Sequence, residues 1–368
     1  MSAGLRAAVL AEHGYHDLEF WYPVLRLREA GADVSVIGPS REETYRSSLG
    51  YPVIPDDDLA GAAQVDYDVL IVPGGAAAAR LAGNAAARNL VQAHLGRGRT
   101  IALLGADGSH SDLTGETDAA AANGLVLRYA SADDLPALVP ALLHHESTPM
   151  RGTRVLVLAE SQYQELELWY PVLRFREAGA DVAVGAPEAG ALYSSKLGYP
   201  VRSDVSVADI DPADVDVLVI PGGFAPEAMR RSAALLDLVR KCHTNGQFVA
   251  AICHAGWVLA SAGIAKGRQL TCVPVIRDDV ISAGASYLDQ PVVRDGNLIT
   301  SRLPNDLDAF CAEIIRAVAE HAGPRGDGHS WPSGERRSRP AYTVPAVLRQ
   351  APGGRATANY RTVSVPRG

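Results

Sequence analysis

Short apolar runs recur along the chain, and stretches in which apolar and polar positions recur with helical spacing separate them. Val155-Leu156-Val157-Leu158 is one such run and predicts a buried strand; residues 165–178 continue with a helical pattern that Gly179 can close. Asp181-Val182-Ala183-Val184 predicts the next strand. Val217-Leu218-Val219-Ile220 predicts another, running into the turn Pro221-Gly222-Gly223 with a helix beyond it. Phe248-Val249-Ala250-Ala251-Ile252 predicts a further buried strand, and the helix after it should end near Gly263. Short apolar strands alternating with helices imply an α/β fold: a doubly wound parallel sheet covered on both faces.

The pattern occurs twice. Leu18-Glu19-Phe20-Trp21-Tyr22-Pro23 returns as Leu166-Glu167-Leu168-Trp169-Tyr170-Pro171, an offset of 148 residues. The same offset relates Leu49-Gly50-Tyr51-Pro52 to Leu197-Gly198-Tyr199-Pro200, and Pro73-Gly74-Gly75 to Pro221-Gly222-Gly223. A constant offset over that span predicts two copies of one fold with no net insertion. Later the copies part: matching Asp134-Leu135 to Asp306-Leu307 leaves the first copy 24 residues shorter. The expected organisation is one domain over residues 4–149, a second over 152–322 and an irregular tail over 323–368.

Composition changes this picture little. The 368 residues are 47% hydrophobic and 21% charged, ordinary for a chain with a real core, and the net charge of −8 gives no reason to expect nucleic acid. No apolar run is long enough for a membrane helix, the start does not read as a signal peptide, and four cysteines make no disulfide scaffold. A cytoplasmic protein is the expectation. The tail differs: eight arginines face only Asp327 and Glu335, among many Pro and Gly. It reads as a flexible extension, as an arm anchored by Trp331, Tyr342, Val344, Val347 and Leu348 on a partner subunit, or as a weak contact to an acidic surface.

The chemistry concentrates in Ala250-Ala251-Ile252-Cys253-His254-Ala255-Gly256-Trp257. A cysteine between a buried strand and a helix sits on a tight turn at the carboxyl end of a sheet, the logic of a nucleophile elbow. A helix amino terminus beside the sulfur should favour thiolate. The glycines of Pro221-Gly222-Gly223 let backbone N–H groups approach a reacting oxygen. Glu167, among large apolar residues, is expected to be desolvated and protonated near neutrality, able to bond a thiolate. The duller alternatives are a structural cysteine, a plain turn and a solvent-facing acid. Ser109, His110 and Asp112 lie too close in sequence for triad geometry. Cys253, His254 and Glu167 lack the spacing of a typical zinc site, so no metal is expected.

The second copy resembles the DJ-1/PfpI family, in its intracellular-protease-like branch. Carrying the resemblance are Glu167-Leu168-Trp169-Tyr170-Pro171, Pro221-Gly222-Gly223-Phe224-Ala225-Pro226-Glu227, Ala250-Ala251-Ile252-Cys253-His254, Ala262-Gly263, Lys266-Gly267-Arg268, Arg277-Asp278-Asp279-Val280-Ile281 and Asp295-Gly296-Asn297. The resemblance implies two flavodoxin-like domains. It implies Cys253 as nucleophile, Glu167 as support for its thiolate, and Gly222 and Gly223 in the oxyanion site. It further implies that His254 acts beside the cysteine and that Glu227 reaches the histidine of a neighbouring subunit. Candidate lining comes from Ala255, Phe224, Tyr163, Trp257 and Trp169. In the first copy Cys253, His254 and Glu227 correspond to Gly105, Ala106 and Ala79, so that half reads as degenerate. A twofold homodimer built on second domains is the expected assembly, because Ala79 has no acid to offer.

The resemblance implies a thiolate adding to an electrophilic carbon. The first reading is cofactor-free, glyoxalase- or deglycase-like chemistry on a small reactive carbonyl. A hydrolase or hydratase acting on a C–N bond is the second, and a redox sensor or chaperone the third. A DNA-binding role is disfavoured, since no helix-turn-helix segment is left once both copies are assigned.

Overall fold

The computed structural model describes residues 4–105, 110–114, 126–144, 147–321 and Trp331, without the side chains of residues 111 and 112. The tail expectations therefore lie outside the described residues, except for Trp331. That indole is buried against the second domain, its Nε1–H donating to the Asp181 carbonyl at 3.0 Å and its backbone N–H to Asp181 Oδ2 at 2.9 Å.

Two doubly wound, flavodoxin-like sheets form the chain. The first runs Asp57–Asp58, Asp33–Gly38, Arg6–Leu10, Val69–Val72, Thr100–Leu104, Val126–Tyr129, all parallel. The second runs Val205–Ser206, Asp181–Ala186, Arg154–Leu158, Val217–Ile220, Phe248–Ile252, Leu298–Ser301, Val292–Asp295. Only its last strand is antiparallel. The central strands are buried along nearly their whole length, which is why they are continuous apolar runs rather than alternating ones. The first strands start at Arg6 and Arg154, the first helices at Asp17 and Glu165, and the cysteine-position strands at Thr100 and Phe248: the 148-residue offset holds in space. The missing 24 residues also have a place. Val126–Tyr129 occupies the position of Leu298–Ser301, and among the described residues the first sheet has no counterpart of the antiparallel edge strand Val292–Asp295 or of the small pair Gln269–Leu270 with Ser286–Tyr287.

Helices Asp17–Glu29 and Glu165–Glu177 pack on each other, with Leu135–Leu143 and Leu307–His321 beside them, between the two sheets. One hydrophobic cluster runs through both halves there. The contact is reciprocal. Tyr22 and Arg26 bond Glu177, while Tyr170 and Arg174 bond Glu29, each partner displaced by 148 residues. Arg26 Nε and Arg174 Nε each lie 2.8 Å from a carboxylate oxygen of these glutamates, and all four charged side chains are largely buried. Tyr22 and Tyr170, themselves equivalent, face each other with ring centroids 5.6 Å apart. The tandem copies thus pair about a pseudo-twofold axis.

Candidate active site

Strand order reverses around Arg154–Leu158, which has Asp181–Ala186 on one side and Val217–Ile220 on the other. Ligands of open α/β sheets bind at such a switch point, at the carboxyl ends of the strands. Three segments of the second domain converge there: the first helix, the glycine turn after Val217–Ile220, and Cys253 after Phe248–Ile252.

Cys253 adopts φ +62°, left-handed backbone that a side chain of its size rarely takes. A strained residue between a buried strand and the short turn Cys253–Ala255 is the predicted elbow, and helix Gly256–Ala262 continues from it. The residue is 7% exposed and lies just below the surface. Sγ lies 3.3 Å from His254 Nδ1.

Glu167 is completely buried. Its backbone N–H donates to Oε1 of Gln164, the helix cap, at 2.8 Å. Its Oε2 accepts the Gly222 N–H at 2.7 Å, and its Oε1 has no partner among the described residues. A Cβ placed on Gly222 would fall 2.7 Å from both Cys253 Cβ and Glu167 Oε2. Glycine is therefore required where acid, thiol and turn close on one another.

The electrostatics follow from this crowding. Burial pushes the Glu167 carboxyl from 4.5 up to about 7, against the opposing hydrogen bond from Gly222. Burial, then the adjacent Glu167 charge, pushes the Cys253 thiol well up; the backbone amides of His254 and Gly223 pull the other way. Burial, then Lys196, lowers His254, which is a neutral imidazole at neutral pH. The expectation of a resting thiolate is thus corrected. A seven-residue helix behind a short turn does not offset desolvation beside an acid, so the pair keeps its proton.

The oxyanion assignment also needs correction. The Gly222 N–H is committed to Glu167 and orients that carboxyl instead. The amides directed at the sulfur belong to Gly223 and His254. Of the candidate lining residues, Phe224 is 52% exposed and Trp257 half-buried, their rings 6.4 Å and 5.3 Å from that of His254. Tyr163, Trp169 and Ala255 have no exposed surface and cannot line a cleft; the Tyr163 hydroxyl donates to the Tyr199 carbonyl at 2.6 Å and accepts from Trp169. Glu227 is exposed and pairs with Arg231 on the same turn of chain.

Two residues escaped the sequence reading. Gln164 caps the Glu167 helix and also donates from Nε2 to Tyr51 Oη of the first domain, at 3.2 Å. Lys196 holds its ammonium 5.0 Å from the Phe224 ring centroid. Comparing the copies was the available signal, since His16 and Ser48 stand at these positions in the first.

In the first domain Gly105 makes the same left-handed turn, at φ +98°, and Glu19 Oε2 lies 3.4 Å from where a Cβ on Gly105 would be. Ser109 and Ala106 lie outside the described residues, as does the Asp112 side chain; His110 is buried, near the Pro73 carbonyl. Among the described residues no cluster of three or more His, Cys, Asp or Glu could hold a metal ion. Among them, too, no helix is long and apolar enough to cross a membrane.

Several known proteins are similar to this chain. An uncharacterized protein of Archaeoglobus fulgidus is 46% identical over 168 residues, which is 46% of this chain and 99% of that protein. Deglycase PfpI of Pyrococcus furiosus is 40% identical over 165 residues, 45% of this chain and 99% of that one. The putative cysteine protease YraA of Bacillus subtilis is 38% identical over 165 residues, 45% of this chain and 98% of that one. Among solved structures, Drosophila melanogaster DJ-1beta is 34% identical, covering 45% of this chain and 90% of that one with a TM-score of 0.43. The family model for the DJ-1/PfpI family matches residues 5–107 and again 153–317, one match in each half. This chain is a tandem member of the DJ-1/PfpI family.

Proposed function

We propose that the second domain is a cysteine enzyme acting on small electrophilic carbonyl compounds, glyoxalase- or deglycase-like, and that the first domain is its catalytically empty partner. One observation carries this reading: the Cys253 sulfur stands against His254 Nδ1, with the bond-free Oε1 of a buried acid in the same crowded corner. The names of relatives such as deglycase PfpI support the same class.

The steps follow from the groups present. The ionised Glu167 carboxylate takes the Cys253 proton as the sulfur pair attacks the aldehyde carbon of a 2-oxoaldehyde, forming a C–S bond. The C=O π pair moves to oxygen, where the amides of Gly223 and His254 meet it; that oxygen then takes the proton from Glu167. Neutral His254 next accepts the proton from the former aldehyde carbon through its ring nitrogen lone pair; that C–H pair forms a C=C bond and the ketone π pair moves to its oxygen, giving an enediolate. Returning that proton from His254 to the neighbouring carbon, while the hydroxyl proton of the former aldehyde oxygen passes to the enediolate oxygen, leaves a thioester, and water cleaves it to a 2-hydroxy acid with release of the thiol.

Incubation with methylglyoxal tests this reading. The intact chain should form lactate and Cys253→Ala should form none. Absence of lactate from intact chain with a titratable Cys253 would overturn it.

A further inference from the structure

Five side chains at the mouth of this site form a continuous row. The Lys196 ammonium sits 5.0 Å from the Phe224 ring centroid, and Phe224 lies 6.4 Å from the His254 ring. His254 lies 5.3 Å from the Trp257 ring, and the Arg230 guanidinium lies over Trp257 at 5.8 Å. The two aromatic faces are thus flanked by cations at both ends. Asp279 accepts the Trp257 Nε1–H at 2.8 Å and Glu227 pairs with Arg231, while the Lys196 charge also acts on the buried carboxyls of Glu165 and Glu167 and the Arg230 Nε–H donates to Ser261 Oγ at 2.9 Å. The Lys196 backbone is fixed too, its N–H donating to the Tyr163 carbonyl at 2.9 Å.

The first copy shows which of these residues serve the scaffold and which the site. At the 148 offset, Lys196, Phe224, His254, Trp257 and Arg230 correspond to Ser48, Ala76, Ala106, Ser109 and Ala82. Every member of the row is lost in the half that lost its thiol. The residues that build the fold and the pseudo-twofold contact are kept: Glu19 with Glu167, Tyr22 with Tyr170, Arg26 with Arg174. A row dispensable to the fold and erased together with the nucleophile belongs to substrate recognition.

We propose that Lys196, working across the Phe224–His254–Trp257 faces with Arg230 at the far end, selects carbonyl substrates that carry a carboxylate on a flat or small apolar body. The proposal rests on Cys253 being the nucleophile and names the substrate class of that site. The aromatic faces hold the body over the sulfur, and the ammonium draws the carboxylate to one side of it.

Alkylation of Cys253 by iodoacetate and by iodoacetamide tests charge selection apart from turnover. In both reactions the sulfur pair displaces iodide and the thiol proton leaves to solvent; iodoacetate carries one negative charge where iodoacetamide is neutral. Rates are read by mass analysis of the Cys253 peptide, and the iodoacetate-to-iodoacetamide ratio is normalised to that of free cysteine. The expected ratio is about tenfold above the free-cysteine value. It should fall severalfold in Lys196→Met, less in Arg230→Met, hold in Lys196→Arg, and decline in the unmutated chain as salt rises. As a turnover counterpart, 4-carboxyphenylglyoxal should exceed phenylglyoxal in kcat/KM in the intact chain and lose that advantage in Lys196→Met. A ratio equal to free cysteine, insensitive to Lys196 and to salt, would overturn charge selection and leave the thiol chemistry standing. If neither reagent modifies Cys253, the nucleophile reading fails and the selectivity with it.

Discussion

The two halves of this chain share a backbone and differ in what it carries. In both, the fourth large strand of the sheet ends at a left-handed residue, Gly105 at φ +98° and Cys253 at φ +62°. In both, an acid of the first helix is buried beneath that turn, against a glycine after the preceding strand. The first half therefore keeps the acid and the bend while lacking sulfur, imidazole and the cationic aromatic row. The bend persists there without the chemistry, and with glycine at position 105 it carries no side-chain strain. The reason lies in the pseudo-twofold contact. Each half supplies helices that bury the other's, so the first domain is a structural partner even without a reaction of its own.

Removing the thiol should break the comparison most completely. Cys253→Ala makes the second half resemble the first, and turnover should fall by about 10³-fold or more while the folded chain persists. A residual rate near that of the intact chain, measured as lactate formed, would place the reaction elsewhere.

Next come the reciprocal ion pairs. Glu177→Ala strands Arg26 and Tyr22, and Glu29→Ala strands Arg174 and Tyr170. Each should cost about 3–5 kcal/mol in denaturant unfolding, because a buried charge is left uncompensated. Nearly equal losses are expected from the two, given their equivalence. A large loss from one and none from the other would show that the halves are not symmetric in stability.

The buried acid gives a pH signature. The Glu167 pKa is raised from 4.5 to about 7, so the folded chain holds a proton that the unfolded chain releases at lower pH. Stability from this group is fully present below about pH 4.5 and is lost as pH rises through about 7. Glu167→Gln cannot ionise yet can still accept the Gly222 N–H. It should gain on the order of 3 kcal/mol relative to the unmutated chain between pH 4.5 and 8. Asp17 of the first half, raised from 3.8 to about 7 mainly by burial, has the same sign, so the variant should flatten the Tm profile only in part. A Tm difference that does not change with pH would contradict this.

The smallest effect sharpens the comparison from the other side. Gly105→Cys in a Cys253→Ala background returns a thiol beside Glu19 but none of the row. A Cβ at 105 would meet Gly74 Cα at 2.9 Å in left-handed backbone, so stability should drop by about 1–2 kcal/mol. Turnover should stay below about a hundredth of that of the unmutated chain, since the imidazole is missing. Full activity would mean that thiol and acid alone suffice.

Much of this was legible in the sequence. The constant 148 offset predicted equivalent elements, and Ile252-Cys253-His254 between an apolar run and a helix predicted the elbow, because both follow from local pattern. The direction of a single amide was not legible. The Gly222 N–H serves Glu167 and not an oxyanion only because the first helix docks on that turn. Nor was the balance of thiol and thiolate, which depends on how much water the packed domain excludes from Cys253 and Glu167 together. Tyr163 and Trp169 looked like lining because aromatic residues near a motif look alike; packing placed them in the core. Lys196, remote in sequence from Phe224 and His254, acts on them only through the fold.

The central claim is that Glu167 and Cys253 act as one proton-sharing unit. The pH dependence of Cys253 alkylation by iodoacetamide, in the unmutated chain and in Glu167→Gln, tests it most directly. The account predicts an acid limb near pH 7 in the unmutated chain, where the pair loses its first proton, and its disappearance in the variant, leaving a single thiol titration. Superimposable profiles would mean that the buried acid takes no part in ionising the thiol.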